Sequence, residues 1–168
     1  MISEWETQIK AQIKQRFAQQ SANQSSDINK LVMSGYPINL IQNLPSNLTK
    51  QYSGCGYLFN NISFDGSETV LDLGSGVGID SYITSTFLST GKVFSVDMTF
   101  EMLSNHNIHN IHNIKRICAD IEYLPISKSQ IDLIIANASF NLSINKEKAF
   151  SEAFRVLKGN GRLVMRDI

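Results

Sequence analysis

With 168 residues, 42% of them hydrophobic, the chain suits one domain burying roughly 70% of its unfolded surface, and it needs no disulfide or metal staple to fold. Fifteen basic residues balance fifteen acidic ones, which excludes a global field drawing the chain to nucleic acid or to an anionic membrane. No apolar run is as long as a membrane span, the start Met1-Ile2-Ser3-Glu4-Trp5-Glu6 is polar and acidic, and two cysteines, Cys55 and Cys118, form neither a disulfide framework nor a C-x-x-C pair, so a cytoplasmic location is expected.

Residues 3–20 place Trp5, Ile9, Ile13 and Phe17 at every fourth position among Glu, Lys, Gln and Arg, which predicts an amphipathic helix. Its polar face is mixed in sign, favouring a helix packed on the domain over one bound to a membrane surface or a partner. Residues 21–29 form a polar Ser/Asn/Gln linker, and residues 38–52 read as short helical turns interrupted at Pro45. These lead to Tyr52-Ser53-Gly54-Cys55-Gly56-Tyr57, where a thiol between two glycines stands on a loop. It reads either as a functional thiol or as a small buried hydrophobe. The chain divides into a helical N-terminal extension or lid, residues 1–52, and a core, residues 53–168.

The core is organised around Glu68-Thr69-Val70-Leu71-Asp72-Leu73-Gly74-Ser75-Gly76-Val77-Gly78, which reads as a strand, a tight turn and a helix start. Glycine there permits positive φ and close approach of a ligand, and the helix start offers unpaired N–H groups. A dinucleotide fingerprint, G-x-G-x-x-G, seats a pyrophosphate on the helix N-terminus; here the spacing is G-x-G-x-G and Asp72 precedes it. An acid beside the loop repels phosphate and suits a ligand that is cationic at this point. Residues 79–88 then carry Ile79, Tyr82, Ile83 and Phe87 at helical spacing, and residues 92–97 form a strand ending in Asp97. Strand, helix, strand predicts a right-handed unit in a parallel sheet. Asp97 falls nineteen residues past Gly78, where an acid can take both hydroxyls of a ribose.

Thr99 is a plausible helix N-cap, with Met102 and Leu103 on the apolar side of the helix it opens. Residues 105–113 hold all three histidines in an Ile-His-Asn repeat; no carboxylate or thiol accompanies them, the run resembles a low-complexity loop, and no metal is assigned. Residues 114–119 predict a third strand, with Cys118 inside the core, closed by Asp120 and followed by Ile121. Residues 131–136 are the near-continuous apolar run of a strand buried on both faces, ending at Asn137 opposite the glycine loop. Residues 146–157 predict a helix using Ala149, Phe150, Ala153, Phe154 and Leu157, and Gly159 and Gly161 frame a turn into a last strand, residues 162–167.

Taken in order, residues 52–168 resemble the class I S-adenosylmethionine (SAM)-dependent methyltransferases and, within them, the arsenite methyltransferases. The general resemblance rests on Leu71-Asp72-Leu73-Gly74-Ser75-Gly76-Val77-Gly78, Asp97, Asp120-Ile121-Glu122-Tyr123-Leu124-Pro125, and Ala153-Phe154-Arg155-Val156-Leu157-Lys158-Gly159-Asn160-Gly161. The narrower one rests on Tyr52-Ser53-Gly54-Cys55-Gly56, on Val96-Asp97-Met98-Thr99 with Met102-Leu103, and on Asn137-Ala138-Ser139-Phe140-Asn141-Leu142. SAM has an ammonium and a sulfonium but no phosphate, as the acid before the glycines requires.

The resemblance implies an α/β, Rossmann-like fold: a mostly parallel sheet of about five strands with helices on both faces, lacking the family's C-terminal hairpin. It further implies that Asp72, Gly74, Ser75, Gly76 and Gly78 hold the methionine end of SAM and Asp97 the ribose. Met98 and Ile121 would flank the adenine, Asp120 would take its amine, and Asn137 would lie beside the methyl group. Cys55 would be the catalytic residue, as acceptor-side ligand or nucleophile. The family's cysteine after Asn137 is Ala138 here, leaving one family thiol where a soft trivalent metalloid takes two or three. Methyl transfer to a small-molecule acceptor, arsenite as the specific case, is the expected function. A non-catalytic SAM-binding or partner-binding module is the alternative, and a nicotinamide enzyme is disfavoured by the glycine spacing. Residues 162–168 would leave a bare sheet edge, which implies either a partial polypeptide or an edge covered by a homodimer mate, a second chain or the N-terminal helices.

Overall fold

Apolar strand-like runs alternate with helical stretches from residue 69 onward, and a parallel sheet is the arrangement that lets each helix cross back over its strand. In a computed structural model, residues 3–22, 28–104 and 111–168 are described. Three N-terminal helices, α1 (Glu4–Ala22), α2 (Ile28–Met33) and α3 (Ile38–Gln42), precede β1 (Thr69–Leu73), α4 (Ile79–Phe87), β2 (Lys92–Asp97), α5 (Phe100–Ser104) and β3 (Ile114–Cys118). Then come β4 (Ile131–Asn137), α6 (Lys146–Val156) and β5 (Leu157–Arg166). The sheet is parallel throughout, in the order β3-β2-β1-β4-β5. Strand order reverses between β1 and β4, so a crevice opens beyond their C-terminal ends, the usual ligand position in open α/β sheets.

Each face of the sheet has its own core. Val70, Val93, Leu133 and Ile135 pack with Ile79 and Ile83 of α4 and with Leu31, Tyr36, Ile41 and Leu48 from the N-terminal segment. On the opposite face Leu71, Leu73, Val96, Ile134 and Ala136 meet Phe140 and Ala149, Ala153 and Val156 of α6. Residues 31–48 thus share one core with the sheet rather than forming a unit beside it. No helix among the described residues is long and apolar enough to cross a membrane.

Several expectations are corrected. The first helix runs on to Ala22 and the second begins at Ile28, leaving residues 23–27 of the expected linker outside the described residues. Its stripe is only partly used: Ile9, Ile13 and Phe17 are half-buried, whereas Trp5 is exposed. In α6 the small residues Ala149 and Ala153 face the sheet, letting the helix lie close to it, while Phe154 is 81% exposed and Phe150 stacks on Phe140 at 4.4 Å. Cys118 is exposed, not core, because β3 is the sheet edge. The last strand starts at Leu157 without a preceding turn: Leu157 pairs with Ile131 and Arg162 with Leu133, so residues 158–161 bulge from the ladder. Of the histidine tract, residues 105–110 lie outside the described residues.

The two phenylalanine-and-leucine environments separate experimentally. Leu133→Ala, at a fully buried central-strand position, should lower unfolding free energy by about 2–5 kcal/mol, and Phe154→Ser should change it by less than about 0.5 kcal/mol, both read from urea midpoints.

Candidate active site

The glycine turn hangs from the end of β2. The N–H groups of Gly74 and Ser75 both donate to the Val96 carbonyl, at 2.8 and 2.9 Å. Gly76 N–H donates to Asp97 Oδ2 at 2.9 Å, and Thr99 N–H donates to Oδ1 at 2.8 Å. One carboxylate therefore orients both the glycine turn and the start of α5. The glycines are needed for different reasons. Gly76 has φ +54° with open space where a Cβ would stand, so the constraint is the backbone angle; at Gly74 a Cβ would collide with Ser139.

Two clefts meet at this turn. The larger, about 700 Å³, takes Gly74, Gly76, Asp97 and Met98 from the β1 and β2 ends, Asp120 and Ile121 from beyond β3, and Asn137 and Ser139 from beyond β4. Lys10, Ile13 and Phe17 of α1 form a further wall. The smaller, about 370 Å³, is lined by Asp72, Ser75, Asp80, Tyr52 and Gly54, and shares Ser53, Gly74, Gly76 and Asn137 with the first. Nine further sequence-derived candidates, Asp72, Gly74, Ser75, Gly76, Asp97, Met98, Asp120, Ile121 and Asn137, thus line one continuous crevice. Two candidates lie elsewhere. Gly78, at φ +89°, stands at the N-cap of α4, its carbonyl accepting from Tyr82 N–H at 2.8 Å. Cys55 lies behind Asn137, donating its N–H to Asn137 Oδ1 at 2.7 Å.

The crevice is unusual in its charges. Asp72 is buried, with Ser81 Oγ donating to Oδ2 at 2.6 Å, and burial next to Asp80 pushes its carboxyl up to about 8. Burial pushes Asp80 up to about 6, opposed by Asn137 and Tyr36, which donate to its two oxygens at 2.8 Å each. Asp97 is also raised by burial, with the Thr99 and Gly76 N–H groups pulling it back. Among the described residues none of these three has an ion-pair partner. Desolvated carboxylates lining a cleft, with the buried hydroxyls of Ser75 and Ser139 unpartnered beside them, suit a ligand that is cationic at one end and rich in polar groups.

At the far end of the larger cleft two acids share one cation. Lys10 Nζ lies 2.7 Å from Asp120 Oδ2 and also pairs with Glu122. Glu122 is buried and accepts from Ser143 Oγ, Ile144 N–H and Asn145 N–H at 2.8, 3.0 and 3.0 Å, closing the loop that opens α6. Lys10, Asp80 and Tyr36 escaped the sequence reading. Only Asp80 carried a local signal, an acid directly after Ile79 in the first turn of the predicted helix.

These groups set the pH dependence of the ligand-free chain. Asp72 and Asp80 titrate higher folded than unfolded, where carboxyls lie near 4, so from about pH 4 to 8 the folded state holds more protons and stability falls as pH rises. Glu122 has the opposite sign: although desolvated, it is held low by Lys10 and backbone N–H groups, and its contribution is lost as pH falls through the acidic range. Asp72→Asn should flatten the decline between about pH 6 and 8 in urea unfolding at stepped pH, leaving the acid limb in place. An unchanged neutral slope would contradict the assignment.

Comparison with known proteins agrees with this arrangement. Residues 64–168 match the methyltransferase domain family. The chain is 33% identical over 121 residues to an arsenite methyltransferase of Halobacterium salinarum, covering 68% of this chain and 31% of that protein. It is 32% identical over 141 residues to an arsenite methyltransferase of Aquipseudomonas alcaligenes, covering 77% and 40%. Among solved structures it is similar to an arsenic(III) S-adenosylmethionine methyltransferase from Chlamydomonas reinhardtii, with a TM-score of 0.67, 32% identity, and coverage of 75% of this chain and 46% of that one. The chain therefore spans less than half the length of these relatives. Its parallel sheet, its glycine turn and the match over residues 64–168 establish that it belongs to the methyltransferase domain family, with the class I fold and resembling the arsenite methyltransferases within it.

Proposed function

We propose that this chain holds SAM along the crevice and passes its methyl group to a small thiophilic acceptor, arsenite being the case that the relatives' names suggest. The observation that carries the reading is the pair Asp72 and Asp80, buried without a cation beside the glycine turn. SAM would supply an electrophilic methyl group there. Asp72 and Asp80 would neutralise the ammonium of its methionine end, which the smaller cleft accommodates. Asp97, already turned by Gly76 and Thr99, keeps a lone pair on each oxygen for the ribose hydroxyls. Met98 and Ile121 would flank the adenine, and Asp120 would take its amine while sharing its charge with Lys10. Ile13 and Phe17 exclude water from that end. No general base is required when the acceptor atom already carries a lone pair.

The acceptor side rests on Cys55. Burial raises its thiol, Asp167 adds to the rise and Arg166 opposes it, so at neutral pH it is protonated until an acceptor displaces the proton. The second thiol cannot help. Cys118 ends β3, three strand spacings from Asn137 at the end of β4, about 14 Å across the sheet. Ala138, at φ +61°, stands in the wall of the larger cleft with no ligand to offer. A trivalent metalloid would therefore arrive carrying thiolates of its own, as a glutathione complex does. The same lone thiol supports the second reading, a SAM-binding module without transfer.

Binding and transfer are tested separately. At about a hundred times Kd, SAM or its demethylated product S-adenosylhomocysteine (SAH) should raise Tm by roughly 5–11 °C, and Asp97→Ala should abolish the rise. With trivalent arsenic and glutathione, methylated product should form and Cys55→Ser should reduce it. A full thermal shift with no product from any thiophilic acceptor would favour the binding module, and no shift would overturn both.

A further inference from the structure

We propose that Asp80 is a positioning residue: with Tyr36 as its second arm, it fixes the amide of Asn137 and so couples the occupancy of the cofactor cleft to the placement of the Cys55 loop. The inference rests on the SAM-binding reading above and extends it to the acceptor side.

The loop Tyr52-Ser53-Gly54-Cys55-Gly56 has no helix or strand to hold it. Its backbone at Cys55 and Gly56 is held instead by one side chain. Asn137 Oδ1 accepts from Cys55 N–H at 2.7 Å, and Asn137 Nδ2 donates to the Gly56 carbonyl at 2.8 Å. The fit is close on the intervening side as well, since a Cβ at Gly54 would stand 2.8 Å from Asn137 Cγ. This grip works in one orientation of the amide only. Turned over, the amide oxygen would face the Gly56 carbonyl and the NH2 group would face the Cys55 N–H.

Asp80 selects that orientation. Asn137 Nδ2 donates to Asp80 Oδ2 at 2.8 Å, so the NH2 end is required on the Asp80 side. Tyr36 O–H donates to the other oxygen, Oδ1, at 2.8 Å, and Tyr36 Oη lies 3.3 Å from Asn137 Nδ2. The Tyr36 ring is buried and meets Tyr52 and Tyr57 edge-on at 5.3 Å each, so both flanks of the loop pack on the residue that fixes Asp80. Compared with the neutral acid, whose hydroxyl must donate as well as accept, both donors are held more strongly by the ionised carboxylate. A cation in the smaller cleft, which Asp80 lines, favours that form, and the cofactor's ammonium and the Cys55 loop, through Asn137, therefore act on one carboxylate. Cofactor binding should order the loop, and the acceptor should bind second.

The test reads the thiol rather than turnover. In full-length chain carrying Cys118→Ser, Cys55 is the one remaining cysteine, and its alkylation by iodoacetamide is timed with and without saturating SAH. SAH should slow alkylation by about threefold to tenfold in this parent. Without SAH, Tyr36→Phe and Asp80→Asn should each react faster than the parent by a similar factor. SAH should then change their rates by less than about twofold, while a thermal shift shows that Tyr36→Phe still binds it. Tyr36→Phe keeps the ring and decides the matter if Asp80→Asn does not fold. Equal protection of parent and Tyr36→Phe would overturn the coupling and leave the SAM reading standing, since direct shielding by the ligand needs no Asp80. No thermal shift in the parent would instead sink the SAM reading and the coupling together.

Discussion

Removing a carboxylate from water costs several kcal/mol unless a cation or a set of donors compensates it, and where β1, β2 and α4 converge this chain buries two, Asp72 and Asp80, and half-buries a third, Asp97. The rest of the site follows from how each is handled. Asp97 is met by two backbone N–H groups, which makes it the peg from which the glycine turn hangs. Asp80 is met by an amide and a phenol, which ties it to the N-terminal segment and to the loop bearing Cys55. Asp72 has a serine hydroxyl and little else, and it faces the cleft. None of the three is fully compensated, and Asp72 and Asp80, the two most buried, line the place where a cationic ligand would sit.

The N-terminal segment belongs to the same scheme. Lys10 places a charge from α1 between Asp120 and Glu122, so the acids at this end of the crevice have a cation from within the chain, whereas Asp72 and Asp80 at the other end have none. This asymmetry gives the crevice a direction. An ammonium is favoured at one end and a neutral, hydrogen-bonding group at the other, walled by Ile13, Phe17, Met98 and Ile121.

What could be read from the sequence was what depends on near neighbours. The G-x-G-x-G turn, the acids ending β2 and β3, and the doubly buried β4 all express short-range rules of backbone freedom and burial, and all fell at their expected places. Residues that act across the fold were not readable. Lys10 is 110 positions from Asp120 and Tyr36 is 44 from Asp80, and nothing near either residue marks its partner. Periodicity also says which side chains share a face without saying how far the helix rolls toward its neighbour. That is why Trp5 and Phe154 are exposed while Ala149 and Ala153 carry the contact. Cys118 was misplaced for a similar reason, since its burial depended on strand order, which composition does not encode.

The central claim is that the crevice stores a proton where a cation belongs. The most direct measurement is titration calorimetry of the chain with SAM at pH 7.0 in buffers of different ionisation enthalpy, which counts protons exchanged on binding. If the ammonium displaces the proton that burial keeps on Asp72, about one proton is released per SAM bound, and far less from Asp72→Asn. A binding heat independent of buffer in the unmodified chain would contradict the account, because the methionine end would then be recognised by something other than these buried acids.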